Sequence, residues 1–167
     1  MRFRTTNASI KITVYPPQLS SYAKKHNHTA AFQPNKTATT AMHTANFFKL
    51  SGALFALSGV LLGAFGAHAL NDTLLARDSV ATWQTAVDYQ MWHALALILI
   101  ALIHQNTPIR PLSGRCFIVG TLLFSGSLYA LALGGPRWLG PVTPLGGLCF
   151  IAGWSALAWQ SLKKAHT

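Results

Sequence analysis

A chain of 167 residues that is 51% hydrophobic and only 10% charged lacks the surface of an ordinary soluble domain, in which about a quarter of residues carry charge. The formal net charge of +10 points toward nucleic acid, but six of the thirteen basic residues (Arg2, Arg4, Lys11, Lys24, Lys25 and Lys36) fall in the first 46 positions, which hold no recognisable reading motif. Nucleic acid is therefore set aside as a partner, and the charge is assigned mostly to an N-terminal leader.

Residues 1–46 are rich in Thr, Ala and Asn, with scattered Lys and His and no acid. Such composition buries too little apolar surface to offset the entropy of ordering. It reads as a disordered basic leader, or as sequence ahead of a true start at Met42. An acid-poor basic segment also resembles an organelle transit peptide, although this one has only two arginines.

The rest of the chain, residues 47–167, holds four apolar runs of the roughly 20 residues a bilayer crossing needs. They lie near residues 48–70, 85–104, 116–133 and 142–162. Stretches such as LLGAFGA and ALALILIALI have no polar face at helical period, so a soluble bundle does not suit them. Lipid requires each segment to satisfy its own backbone, which makes the segments helices. The predicted fold is an all-α integral membrane four-helix bundle. Proline and glycine punctuate its second and third loops, QNTPIRPLSGR and GGPRWLGPVTP.

Ala67-His68-Ala69 matches the small-x-small pattern of a signal-peptidase site. The apolar run before it exceeds the usual 7–15 residues of a signal core, so the first helix is predicted to be retained. Basic residues beside the spans set the orientation. Lys49, Arg110, Arg115, Lys163 and Lys164 lie on one side and only Arg77 and Arg137 on the other, which puts both termini in the cytoplasm.

Small residues recur at helical spacing along the first span (Gly52, Ala56, Gly59, Gly63, Ala67), the third (Gly126, Ala130, Gly134) and the fourth (Ala152, Ala156). These stripes are expected to bring helices into close approach. A groove for a ligand along Gly59–Gly63 is the lesser reading.

With that orientation the polar side chains gather toward the outer leaflet: His68 at the end of the first helix, Tyr89, Gln90 and His93 in the second, Ser125, Ser127 and Tyr129 in the third. Polar groups in a bilayer are costly and are kept for a buried network or for function. His68 also suits a helix C-terminus, and Asp88 a helix N-terminus, through the helix dipole. Trp83, Trp92, Trp138 and Trp159 suit interfacial belts. His93 lies deeper than a cap or a belt requires, which leaves a structural hydrogen bond or a proton, metal or cofactor role. Two histidines could ligate a haem, but the depths of His68 and His93 differ. No carboxylate or cysteine joins them at ligand spacing, and Cys116 and Cys149 read as small buried hydrophobes. No metal, no cofactor and no catalytic constellation is predicted.

The runs GAFGAHAL, WQTAVDYQMWHALAL, LLFSGSLYALAL and VTPLGGLCFIAGW resemble, in order and spacing, the domain-of-unknown-function family 423 over roughly residues 46–162. These are small four-span proteins of bacterial inner membranes, related to a eukaryotic transmembrane family. The resemblance implies a retained inner-membrane bundle with the leader outside the family's domain, and it supplies no reaction. Two roles follow as expectations. The first is a non-enzymatic bundle that organises or assists membrane components, with a second copy or other membrane proteins as partners. The second is a proton or small-molecule conduit or site formed by the His/Tyr cluster.

Overall fold

The computed structural model describes residues 36–106 and 111–164. Among them run α1 (Lys36–Ala67), the short α2 (Asn71–Ala76), α3 (Val80–Asn106), α4 (Leu112–Ala132), a single 3-10 turn (Arg137–Leu139) and α5 (Val142–Lys164). The four long helices are each apolar enough to cross a membrane, and the chain is an all-α membrane protein.

What these helices turn outward identifies their solvent. On α1, Leu50, Leu54, Leu57, Leu61 and Phe65 are all at least half exposed, and their spacing of three and four makes one continuous stripe. Exposed leucines recur on α3 (Leu95, Leu99, Leu102) and on α5 (Leu145, Leu148, Leu162). Water does not tolerate apolar surface on this scale, whereas lipid solvates it. The inward faces carry Phe48, Leu97, Ile100 and Phe117 together with close-packed glycines, buried serines, Gln90 and His93.

Burying apolar surface gives no net drive between helices already in lipid, so close van der Waals contact must hold them. The three glycines of the first expected stripe provide it, while its last member, Ala67, is exposed. A Cβ at Gly52 would stand 2.7 Å from the Ala94 carbonyl oxygen of α3, one at Gly59 would meet the Met91 sulfur at 2.8 Å, and one at Gly63 would touch Val87 at 3.5 Å. Trp83 packs against Gly66 in the same row. Between α4 and α5 the glycines accept rings: Phe150 lies over Gly120 and Phe117 over Gly153, while Gly146 meets the backbone of Phe124.

The second expected stripe requires correction. Gly126 is exposed, and a Cβ there would have nothing within 4 Å. Phe117, Gly120 and Phe124 are what turn toward α5, and a helix rotated to present them faces Gly126 away. Ala130 and Gly134 instead belong to the helix end. The Gly135 N–H bonds back to the Ala130 carbonyl at 2.7 Å and the Gly134 N–H to Leu131 at 2.9 Å, with Gly134 in the left-handed region at φ 87°. This is a Schellman closure, in which an L side chain at Gly134 would be strained.

α3 and α4 form the central pair. α1 packs on α3, and α5 packs on α4. Half of the α3 span is buried, against 17% for each of α1 and α5. Larger side chains reach across: Phe48 of α1 meets Gly114 of α4, and Phe150 and Trp154 of α5 reach His93 of α3. The end bearing the α1–α3 connection is closed. Leu74 of α2 is 1% exposed and packs with Trp83, Val87 and Ala132, and the Ser79 hydroxyl donates to the Ala132 carbonyl at 2.9 Å, tying the start of α3 to the end of α4.

Helix boundaries differ from the apolar runs. α1 begins at Lys36, so residues 36–46 are helical rather than leader, and Ala45 and Phe48 are already buried. Alanine-rich sequence with apolar residues on one side extends a helix beyond the bilayer with little resistance. Residues 1–35, which hold the rest of the expected leader, and Arg110, used in the orientation count, lie outside the described residues.

Candidate functional site

His93 stands at the midpoint of α3, about 20 Å from its first residue at 1.5 Å per residue. It is 4% exposed, and both ring nitrogens are engaged: Nδ1 lies 2.8 Å from the Tyr89 carbonyl oxygen, and the Trp154 indole N–H donates to Nε2 at 3.3 Å. An indole can only donate, so Nε2 accepts, and a neutral ring then carries its proton on Nδ1 and gives it to Tyr89. The Phe150 ring is stacked on the imidazole at a centroid distance of 3.5 Å and 11° between planes, and Phe117 meets it edge-on at 5.2 Å. Tyr89, one turn before, lies nearly parallel to the imidazole at 6.2 Å and packs on Phe124 at 4.5 Å. The result is an aromatic box around a histidine with no spare nitrogen.

The other polar residues fall into three groups. Gln90 joins α3 to α1: its Nε2 donates to the Phe55 carbonyl and to the Ser58 hydroxyl, both at 2.8 Å. Ser127 joins α4 to α5 through the Thr143 hydroxyl at 2.7 Å. Ser125 and Tyr129, one turn apart on α4, keep buried hydroxyls with no hydrogen-bond partner among the described residues. The Tyr129 ring packs edge-on against Trp83 at 4.7 Å, and the Trp83 indole N–H donates to the Leu62 carbonyl of α1 at 3.0 Å.

His68 does not join this set. α1 ends at Ala67, the His68 N–H bonds back to Ala64 at 3.1 Å, and its side chain is exposed. Among the described residues no hydrogen bond or ring contact joins it to His93. α3 starts at Val80 rather than near 85, so His93 is central and Asp88 lies in the third turn, accepting from the Gln84 amide at 2.8 Å rather than meeting a helix terminus. Trp83, expected in an interfacial belt, is 4% exposed and hydrogen-bonded inside. Trp138 and Trp159 do stand exposed near helix ends, Trp159 beneath the Lys163 ammonium at 5.4 Å.

Sequence reasoning missed Trp154 and Phe150, the partners that define the state of His93. One signal was available: a tryptophan in the middle of a span is too deep for a belt, and its N–H needs an acceptor inside the protein. Among the described residues no group of three or more metal-ligating side chains converges.

The family model for "Protein of unknown function (DUF423)" matches residues 62–147. A UPF0382 membrane protein of Staphylococcus epidermidis is 45% identical over 119 residues, which is 71% of this chain and 97% of the relative. A UPF0382 membrane protein of Haemophilus influenzae is 44% identical over 66% of this chain and 91% of its own length. The UPF0382 inner membrane protein YgdD of Escherichia coli is 40% identical over 54% of this chain and 70% of its own length. No solved structure matches.

Proposed function

The chain belongs to the DUF423 family of membrane proteins of unknown function, and from that premise we propose that it acts as a non-enzymatic helical bundle in the inner membrane. In this reading both termini are cytoplasmic, and the bundle organises or assists other membrane components through its lipid-facing surface. The observation that carries it is the state of His93: a ring with both nitrogens bonded and a phenylalanine stacked on it has no atom free for a substrate or a passing proton. Gln90 and Ser127 are likewise committed between helices. These three residues thus serve as internal bonds, and interaction with partners falls to the outside. The excess of basic residues at the end holding Lys49, Arg115 and Lys163 supports the orientation.

Gly126 offers a direct test, since it is exposed on α4 with open space around it. A photo-reactive amino acid placed there is expected to crosslink in native membranes to a second copy or to another membrane protein. Capture of lipid alone would remove the organising role.

A second reading, a small-molecule site or conduit, is favoured by the unpaired Ser125 and Tyr129 hydroxyls, because orphaned hydroxyls in an apolar interior cost about 1–3 kcal/mol unless something bonds them. It predicts proton or solute flux in vesicles. We expect vesicles carrying the purified protein to dissipate a pH gradient no faster than protein-free vesicles. Faster dissipation that is lost in Tyr129→Phe, which removes one of the two unpaired hydroxyls and keeps the ring against Trp83, would install the conduit reading instead.

A further inference from the structure

The two ends of the molecule differ. The end with the α1–α3 connection is sealed by α2, whereas at the other end a cleft of about 270 Å³ opens between α1 and α4, lined by His43, Thr44, Phe47, Phe48, Pro111 and Arg115. We propose that this cleft seats the phosphate of an anionic membrane phospholipid, a binding site separate from the His93 cluster and beyond the role proposed above.

Charge comes first. The three acidic side chains of the chain, Asp72, Asp78 and Asp88, all lie at the sealed end or in the helix leading from it, while His43, Lys49, Arg115 and Lys163 lie at the cleft end. Arg115 is exposed and forms no ion pair with a described residue. A guanidinium in this state offers a planar fork of donors that matches phosphate oxygens.

Backbone donors add to it. The first i to i−4 bond of α4 runs from the Arg115 N–H to the Pro111 carbonyl at 3.1 Å, so the N–H groups of Leu112, Ser113 and Gly114 precede it, and Pro111 supplies no side-chain cap. α4 has 21 residues, so its positive end is fully developed.

Depth selects the source of the phosphate. Lys49 and Arg115 mark where the apolar parts of α1 and α4 begin, and from Leu50 to Ala67 α1 rises roughly 26 Å, close to the ~30 Å of a hydrocarbon core. The cleft therefore opens where lipid phosphates are concentrated, and Phe47 and Phe48 give it an apolar wall suited to glycerol and the first acyl carbons. Basic pockets between helices at this level are a recurrent way of holding acidic headgroups.

The test uses the full chain in a neutral detergent, with lipid retention followed by native mass spectrometry. Phosphatidylglycerol is expected to remain bound one to one under conditions that strip phosphatidylcholine. Arg115→Gln should weaken this retention about tenfold, the scale of one charge-assisted hydrogen bond. Lys49→Gln, at the same depth but outside the cleft, should weaken it no more than about fivefold, as any surface charge would. His43→Gln, exposed on α1, serves as a second cleft variant should Arg115→Gln fold poorly, and it should also exceed Lys49→Gln. Equal retention of the two lipids, or equal losses in the cleft variants and Lys49→Gln, would overturn the site. Displacement of the lipid by millimolar inorganic phosphate would overturn the lipid as its occupant and assign the cleft to soluble phosphate.

Discussion

Replacing His93 with alanine lowers the unfolding free energy of the detergent-solubilised protein by about 3 kcal/mol, an effect assembled from two costs. The first is a cavity. The imidazole fills the space between Phe117, Tyr89 and the stacked Phe150 ring, and those aromatic walls are anchored on three different helices, so they cannot all move in. The second is a lost acceptor: the Trp154 N–H keeps no partner in that direction. His93→Phe separates the two. It retains a ring against Phe150 while removing both hydrogen bonds, and should cost about 1 kcal/mol. Denaturant titration of the three proteins measures this. An alanine variant that unfolds with the wild type would show the box to be dispensable to the fold and would return His93 to the candidates for chemistry.

The four spans were legible because lipid solvation imposes a length and a composition that a single run of residues displays by itself. Their ends were less so. A helix does not stop where its hydrophobicity does: α3 begins at Val80, before the apolar run, and Asp88 consequently moved from a first turn to a third. The start was marked by Ser79, which stands immediately before the helix in the position such residues favour. Residues 36–46 were misplaced for a related reason, since their threonines and alanines resemble leader composition yet continue α1.

The candidate site was legible one helix at a time. That Tyr89 and His93 share a face follows from their spacing, and they do stack. That Trp154 and Phe150 complete the box depends on how α5 is rotated against α3, which no spacing within either segment contains. The same holds for the cleft, whose walls come from residues almost 70 positions apart on α1 and α4. Gly126 shows the converse failure: it sits in a regular stripe with Ala130 and Gly134, but regular spacing identifies a face without saying what that face meets.

Glycine substitutions turn this difference into a measurement. Gly146→Ala would place a methyl group against the backbone nitrogen of Phe124, with the Phe124 Cα and Cβ at 2.8 Å. No rotamer change relieves a clash with backbone, so α5 must move away from α4, loosening Phe150 over Gly120 and Phe117 over Gly153 in the same interface. Overpacking of this kind costs about 1–3 kcal/mol, and the upper end is expected here because neighbouring contacts are lost together. Gly126→Ala carries the same chemical change into open space, so it should be neutral or should stabilise by up to about 1 kcal/mol through helix propensity. Gly120→Ala belongs between them, since the atoms it meets at 2.6 Å belong to the Phe150 side chain, which can shift. Unfolding the three variants side by side tests the order directly. If Gly126→Ala proves as damaging as Gly146→Ala in the isolated monomer, then α4 presents Gly126 to another helix of the same chain, and the rotation that builds both the α4–α5 interface and the His93 box is wrong.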